Sequence, residues 1–213
     1  MMIHRSFALL AAVAFTAVAA PALPAGAQDD LYARMQRVNT GLNSYQSDVS
    51  VHVEMHAFPY LNQTFEGKAY YKKPDKAAVQ FNTVPVLAGL LKKVVGQMET
   101  PSDWPKLYEV TKTTDDGSVA AFKLVRKKNG RIDHVDVKVD DKTATVSEMT
   151  YFYKDTGGSV RFVNQYDQIA GNFVLKTQTG KVDIPHYNAD LNTTFANYKL
   201  NVPVDDKVFQ QDS

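Results

Sequence analysis

His52, Glu54 and His56 are spaced to project from one face of an extended strand, and imidazole with carboxylate is a ligand set that zinc accepts. Along a strand, neighbouring side chains on the same face stand about 7 Å apart, because each residue advances ~3.3 Å. That separation is wide for three ligands of one ion. The trio therefore reads as a solvated polar face, and no metal site is expected. Catalytic nucleophiles are no better supported. The chain has no cysteine, no G-x-S-x-G turn and no helical H-E-x-x-H. Gly157-Gly158 reads as a turn between strands rather than a phosphate-cradling loop. The acidic pairs Asp115-Asp116 and Asp140-Asp141 also fall in turns. No catalytic residue and no cofactor are expected, and a hydrolase ranks last among the functional readings.

The strand that carries the histidines is itself the stronger signal. From 45 to 57 every odd position is small or apolar: Tyr45, Ser47, Val49, Val51, Val53, Met55 and Ala57. Every even position is polar. Such alternation predicts a long strand with one dry and one wet face. Further strands are predicted at Thr64 to Lys73, Lys76 to Asn82, Lys106 to Thr114, Val119 to Lys127 and Arg131 to Val139. Others follow at Thr145 to Tyr153, Val160 to Ile169, Phe173 to Thr179 and Leu191 to Leu200. Turn residues separate them, including Pro74-Asp75, Asp115-Asp116-Gly117, Asn129-Gly130 and Gly171-Asn172. This is a meander, with sequence neighbours expected to pair.

Two stretches carry helical spacing instead. Leu31, Met35, Val38 and Leu42 form one apolar stripe in a helix predicted from Asp29 to Leu42. The second is Pro85 to Met98, with Leu87, Leu90, Leu91, Val94, Val95 and Met98 on one face and Lys92, Lys93 and Gln97 opposite. Ordering its backbone costs roughly 1–2 kcal/mol per residue. Its six apolar side chains return roughly 1.5–3 kcal/mol each when buried. The two sums overlap, so this helix reads either as a core cap or as a movable lid.

The first 27 residues have the three parts of a secretory leader: a basic start at His4-Arg5, an apolar run from Phe7 to Ala20, and Ala25-Gly26-Ala27 before Gln28. The run is short of the ~20 residues that span a bilayer. The chain is expected to be exported to a periplasm and soluble after cleavage, with 28–213 forming a single domain. The leader holds one of the 24 basic residues, so the remainder is formally neutral against 23 acidic ones. Nothing here favours nucleic acid, which needs a basic surface.

The order of these elements resembles the periplasmic lipoprotein-carrier and lipoprotein-sorting (LolA/LolB-like) family. The stretch Gly67-Lys68-Ala69-Tyr70-Tyr71-Lys72-Lys73-Pro74-Asp75-Lys76 is similar to that family's glycine, strand and basic-basic-proline pattern. Tyr198-Lys199-Leu200-Asn201, with Val204-Asp205-Asp206-Lys207-Val208-Phe209, is similar to its last strand and tail. The chain departs from the family where Pro85 to Met98 follows the lysine–proline strand. The resemblance implies a gating role for the basic residue before the proline, here Lys73; as a residue alone, Lys73 reads as a solvated strand end.

The expected fold is mainly β (α+β): a curved antiparallel sheet forming an incomplete barrel, with helices over its concave face. The expected ligand is a lipid or an acylated lipoprotein. It would lie against Val49, Val51, Val53, Met55, Phe65 and Phe81, beneath a lid bearing Leu87, Leu90, Leu91, Val94 and Met98. Such a carrier or sensor is expected to be monomeric and to meet envelope proteins transiently. The alternative is an envelope protein-interaction or signalling domain that uses the same surface and transports no lipid.

Overall fold

A computed structural model describes residues 28–57, 60–74, 76–82, 101–155, 157–185 and 187–210. The predicted leader and the Pro85 to Met98 segment lie outside the described residues. One helix, α1 (Gln28–Arg37), precedes three strands, β1 (Ser44–Met55), β2 (Asn62–Lys72) and β3 (Lys76–Phe81). After the short helix α2 (Trp104–Leu107) come β4 (Tyr108–Asp115), β5 (Val119–Arg126), β6 (Ile132–Asp140) and β7 (Thr145–Tyr153). Then follow β8 (Ser159–Ile169), β9 (Asn172–Ile184), β10 (Tyr187–Leu200) and a 3₁₀ turn at Asp206–Phe209.

The strands form one sheet in the order β3-β2-β1-β10-β9-β8-β7-β6-β5-β4, and every pair is antiparallel. The sheet does not close on itself: β3 and β4 are its two edges. This is the expected incomplete barrel.

The alternation in β1 has the predicted physical effect. Val49, Val51 and Val53 are buried, whereas Ser50 and His52 are half-buried and Glu54 is exposed. The dry faces build two cores. In the first, Leu31 and Met35 of α1 pack with Trp104, Tyr108 and inward residues of β5, β6 and β7, among them Phe122, Leu124, Val135, Val137 and Met149. The second is made by β1, β2, β3, β8 and β10, and no helix of the described residues contributes to it.

Among the element boundaries that differ from the sequence reading, four stand out. α1 stops at Arg37 rather than Leu42, because Asn39 takes a left-handed conformation (φ 59°) that ends the helix. Lys106 and Leu107 belong to α2 rather than to a strand; Pro105 stands in the first turn, where it favours a helix start. β9 runs on to Ile184 through Gly180. A Cβ at Gly180 would press on Leu191 and Phe162 at 3.0 Å, so the glycine there serves packing rather than a turn. β10 begins at Tyr187, four residues before the predicted start.

Gly67 of β2 answers to a similar constraint. A Cβ there would collide with the backbone carbonyl of Gln80 on β3. Gly67→Ala must push the two strands apart, and strain of this kind costs ~1–3 kcal/mol. Its melting temperature is expected to fall by several degrees, at ~2–4 °C per kcal/mol. Gly41→Ala, with nothing within 4 Å of the new methyl, should leave it unchanged. Equal midpoints for the two variants in thermal denaturation would refute the close approach.

Candidate functional site

The antiparallel order places the strand ends in two sets, and this polarity defines the site. At one end lie the β1–β2, β9–β10, β7–β8 and β5–β6 turns, the end of β3 and the start of β4. We term this end the mouth. At the other lie the end of α1 and the β2–β3, β4–β5, β6–β7 and β8–β9 turns.

The second end is tied shut. Arg34 of α1 donates to the backbone and side-chain oxygens of Asp141, at 2.7 Å each. The Asn39 side chain donates to the Phe173 carbonyl at 2.6 Å and accepts from its N–H at 2.8 Å, replacing the bonds of an absent strand partner. Asn201 accepts from the Asn43 N–H at 2.7 Å and donates to the Gly41 carbonyl at 3.2 Å. The Lys73 ammonium donates to the Thr40 carbonyl at 2.5 Å. Lys73 therefore grips the turn after α1, where a cation meets unpaired helix-end carbonyls favourably.

Towards the mouth, the second core presents its apolar face. Val49, Val51, Val53, Phe65 and Phe81 are buried together, with Met55 partly buried against them. The Phe65 and Phe81 rings meet edge to face with centroids 6.0 Å apart. These six sequence-predicted residues thus share one cluster. The sequence reading missed Val160, Phe162 and Leu191, which complete it from β8 and β10. Their signal was the alternation Val160, Phe162, Asn164, Tyr166 in β8 and Ala189, Leu191, Thr193, Phe195 in β10. Leu87, Leu90, Leu91, Val94 and Met98 lie outside the described residues.

A buried polar row runs from β8 to β10 beside this cluster. Asn164, Gln178 and Thr193 are register partners across β8, β9 and β10, and all three are buried. Gln178 donates to the Asn164 side-chain oxygen at 3.0 Å. Asn164 and the Tyr166 hydroxyl both donate to the Val146 carbonyl, at 3.0 and 2.9 Å. Buried polar groups demand such partners, and these fix where the two cores divide. Burial pushes the Tyr166 phenol up to about 12. It does the same for Tyr45, with Tyr71 a lesser cause, so both stay neutral at any physiological pH.

Two clefts open at the mouth. One, of about 400 Å³, is lined by Ala57, Gly157, Gly158, Ile184, Pro185 and Tyr187, among others. The other, of about 380 Å³, lies between Tyr32 of α1, Tyr108 and Val110 of the edge strand β4, and Phe122 of β5. Neither is lined by the six clustered residues of β1, β2 and β3, whose face is packed.

The histidines do not converge. His52 Nδ1 lies 3.0 Å from the Thr64 hydroxyl, and His56 Nε2 lies 2.9 Å from Asp190 Oδ2, both on the outer face. The tail packs on that same outer face. Asp206 receives Lys72 and Lys76 at 3.0 Å each, and these bonds hold its carboxyl below the usual range.

This architecture recurs in solved structures. One is a domain described as an outer membrane lipoprotein-sorting protein from Vibrio parahaemolyticus (TM-score 0.66, 8% identity, 85% of this chain and 95% of that one). The chain has a LolA-like fold. A DUF1329 family protein from Desulfovibrio piger superposes with a TM-score of 0.64 at 14% identity, over 85% of this chain and 95% of that one. A LolA superfamily protein from Nitrosomonas europaea gives 0.59 at 12% identity, over 86% and 97%. No family model and no curated protein matches the sequence. The expected fold resemblance is met at identities where only the fold is shared. No helix among the described residues is long and apolar enough to cross a membrane.

Proposed function

We propose that this LolA-like chain is an exported, monomeric carrier or sensor that holds a lipid or acyl chain against its second core. One observation carries the reading: α1 covers only the β4–β7 half of the inner face, and no described helix covers the other half. The connection from β3 to α2 supports it. Phe81 and Trp104 both lie at the mouth, on opposite edges of the open sheet. The amphipathic segment from Pro85 to Met98 belongs to that connection, and its apolar stripe suits a lid over the half that no described helix covers. An acyl chain enclosed there gains ~0.8 kcal/mol for each CH₂ removed from water. The names of the structural neighbours, lipoprotein-sorting and LolA superfamily proteins, point to an acylated lipoprotein as one cargo. Lys73, bound to the Thr40 carbonyl, is the proposed gate residue. Any displacement of the turn after α1 from Lys73 must break that bond.

Native mass spectrometry of protein purified without detergent tests this. The expected spectrum shows the chain beginning at Gln28, its leader removed, with added mass matching lipid. A bare chain that instead retains a stable protein partner would overturn the carrier and favour an envelope interaction domain.

A further inference from the structure

The mouth carries a charge pattern that the carrier reading does not use. The β5–β6 turn runs Arg126-Lys127-Lys128-Asn129-Gly130-Arg131, four cations without an acid. Lys154 joins them from the β7–β8 turn, where its N–H donates to the Arg131 carbonyl at 2.9 Å. Lys127, Lys128, Arg131 and Lys154 are exposed. Among the described residues Lys128 and Arg131 have no ion-pair partner; of the neighbouring acids, Asp133 is engaged by His134 at 2.8 Å and also feels the charge of Lys154, and Asp155 is exposed. The opposite ends of the same strands bear Asp115, Asp116, Asp140 and Asp141, with Lys112, Lys142 and Arg34, which is bound to Asp141, as the nearby cations. Asp116 accepts the N–H groups of Ser118 and Val119, which hold its carboxyl down at about 2 and keep it charged. The β4–β7 half is therefore basic at the mouth, whereas at the closed end Arg34 and Lys112 offset the aspartates they pair with. Further along the mouth, Tyr60 and Tyr187 are 78% and 49% exposed.

We propose that the mouth is a docking surface for an anionic lipid bilayer. Clustered cations are drawn to such a surface, each worth about fivefold in affinity. Tyrosine suits the headgroup layer, where its ring sits at an apolar boundary with its hydroxyl in water. A formally neutral protein with a basic cluster at one end is turned by the field of the membrane until that end leads. That orientation would present the rim of the second core to the lipid. The docking itself does not depend on cargo and rests on the carrier reading only for its purpose.

Co-sedimentation of the purified protein with vesicles of phosphatidylglycerol and phosphatidylcholine tests it. Binding is expected to these vesicles, to weaken steeply as salt screens the charges, and to be absent with phosphatidylcholine alone. Lys128→Glu with Arg131→Glu should cut it by at least about tenfold. Lys142→Glu with Lys207→Glu, the same charge change away from the mouth, should leave it intact. Circular dichroism confirms that both variants fold. Equal losses in the two pairs, equal binding to neutral vesicles, or no binding to the charged ones would each overturn the docking surface. Uptake of a fluorescent fatty acid, measured without vesicles, reports on the carrier separately, so failure of one leaves the other standing.

Discussion

Val51→Asp is expected to leave little folded protein, while His52→Ala, one residue along, is expected to be almost silent. Val51 is 0% exposed at the centre of β1. Its register partners are Phe65 on β2 and Thr193 on β10. A carboxylate there faces an apolar cluster with no cation aimed at it among the described residues. It must either ionise without a partner or bind a proton at neutral pH. Both routes put the cost at about 3 kcal/mol or more, a large part of the stability of a domain this size. His52 faces outward and touches the Thr64 hydroxyl. Its loss should change stability by less than about 0.5 kcal/mol. Denaturant midpoints of the two variants decide the matter. Comparable losses would mean that the faces of β1 are misassigned, and the apolar site would go with them.

What the sequence made legible was whatever depends on period and on turn residues. The thirteen alternating positions from Tyr45 to Ala57 already sorted the valines from the histidines. Asn129-Gly130 and Gly171-Asn172 marked real hairpins between β5 and β6 and between β8 and β9. Longer-range facts were hidden. Nothing in the stripe through Leu42 announces that Asn39 will leave the helix to bond Phe173, 134 residues away. Gly180 looks like a strand end, and only the Leu191 and Phe162 side chains beside it explain why β9 continues. The six predicted residues on β1, β2 and β3 were found because each strand shows its own alternation. That Val160, Phe162 and Leu191 meet them follows from the sheet curling, which no local pattern records. The division into a tied end and a mouth is likewise a property of strand order. It gives the basic β5–β6 turn a location, where the sequence shows only a short charged run.

The lid can be tested through Leu90→Ser with Leu91→Ser, a double variant that separates a moving cover from a structural cap. If the apolar stripe of Pro85 to Met98 meets ligand as well as protein, each truncation removes contact with the bound acyl chain. Burial of a leucine is worth ~1.5–3 kcal/mol. Losing even half of one such contribution weakens affinity for a fluorescent fatty acid by several fold, and losing most of two does so by a hundredfold or more. The tenfold range and beyond is therefore expected. The fold should be largely indifferent. Among the described residues the first core is built on α1, Trp104 and β4–β7, and Trp104, 0% exposed, anchors the chain where it re-enters the sheet. A structural cap would behave the other way. Serine in place of its leucines would expose the second core, and the melting temperature would fall by ~2–4 °C for each kcal/mol lost. Probe titration and thermal denaturation on the same preparation give both answers. A large fall in midpoint with unchanged affinity would leave a cap and no lid. A large fall in affinity with a small change in midpoint is the result expected of a lid whose leucines touch the ligand.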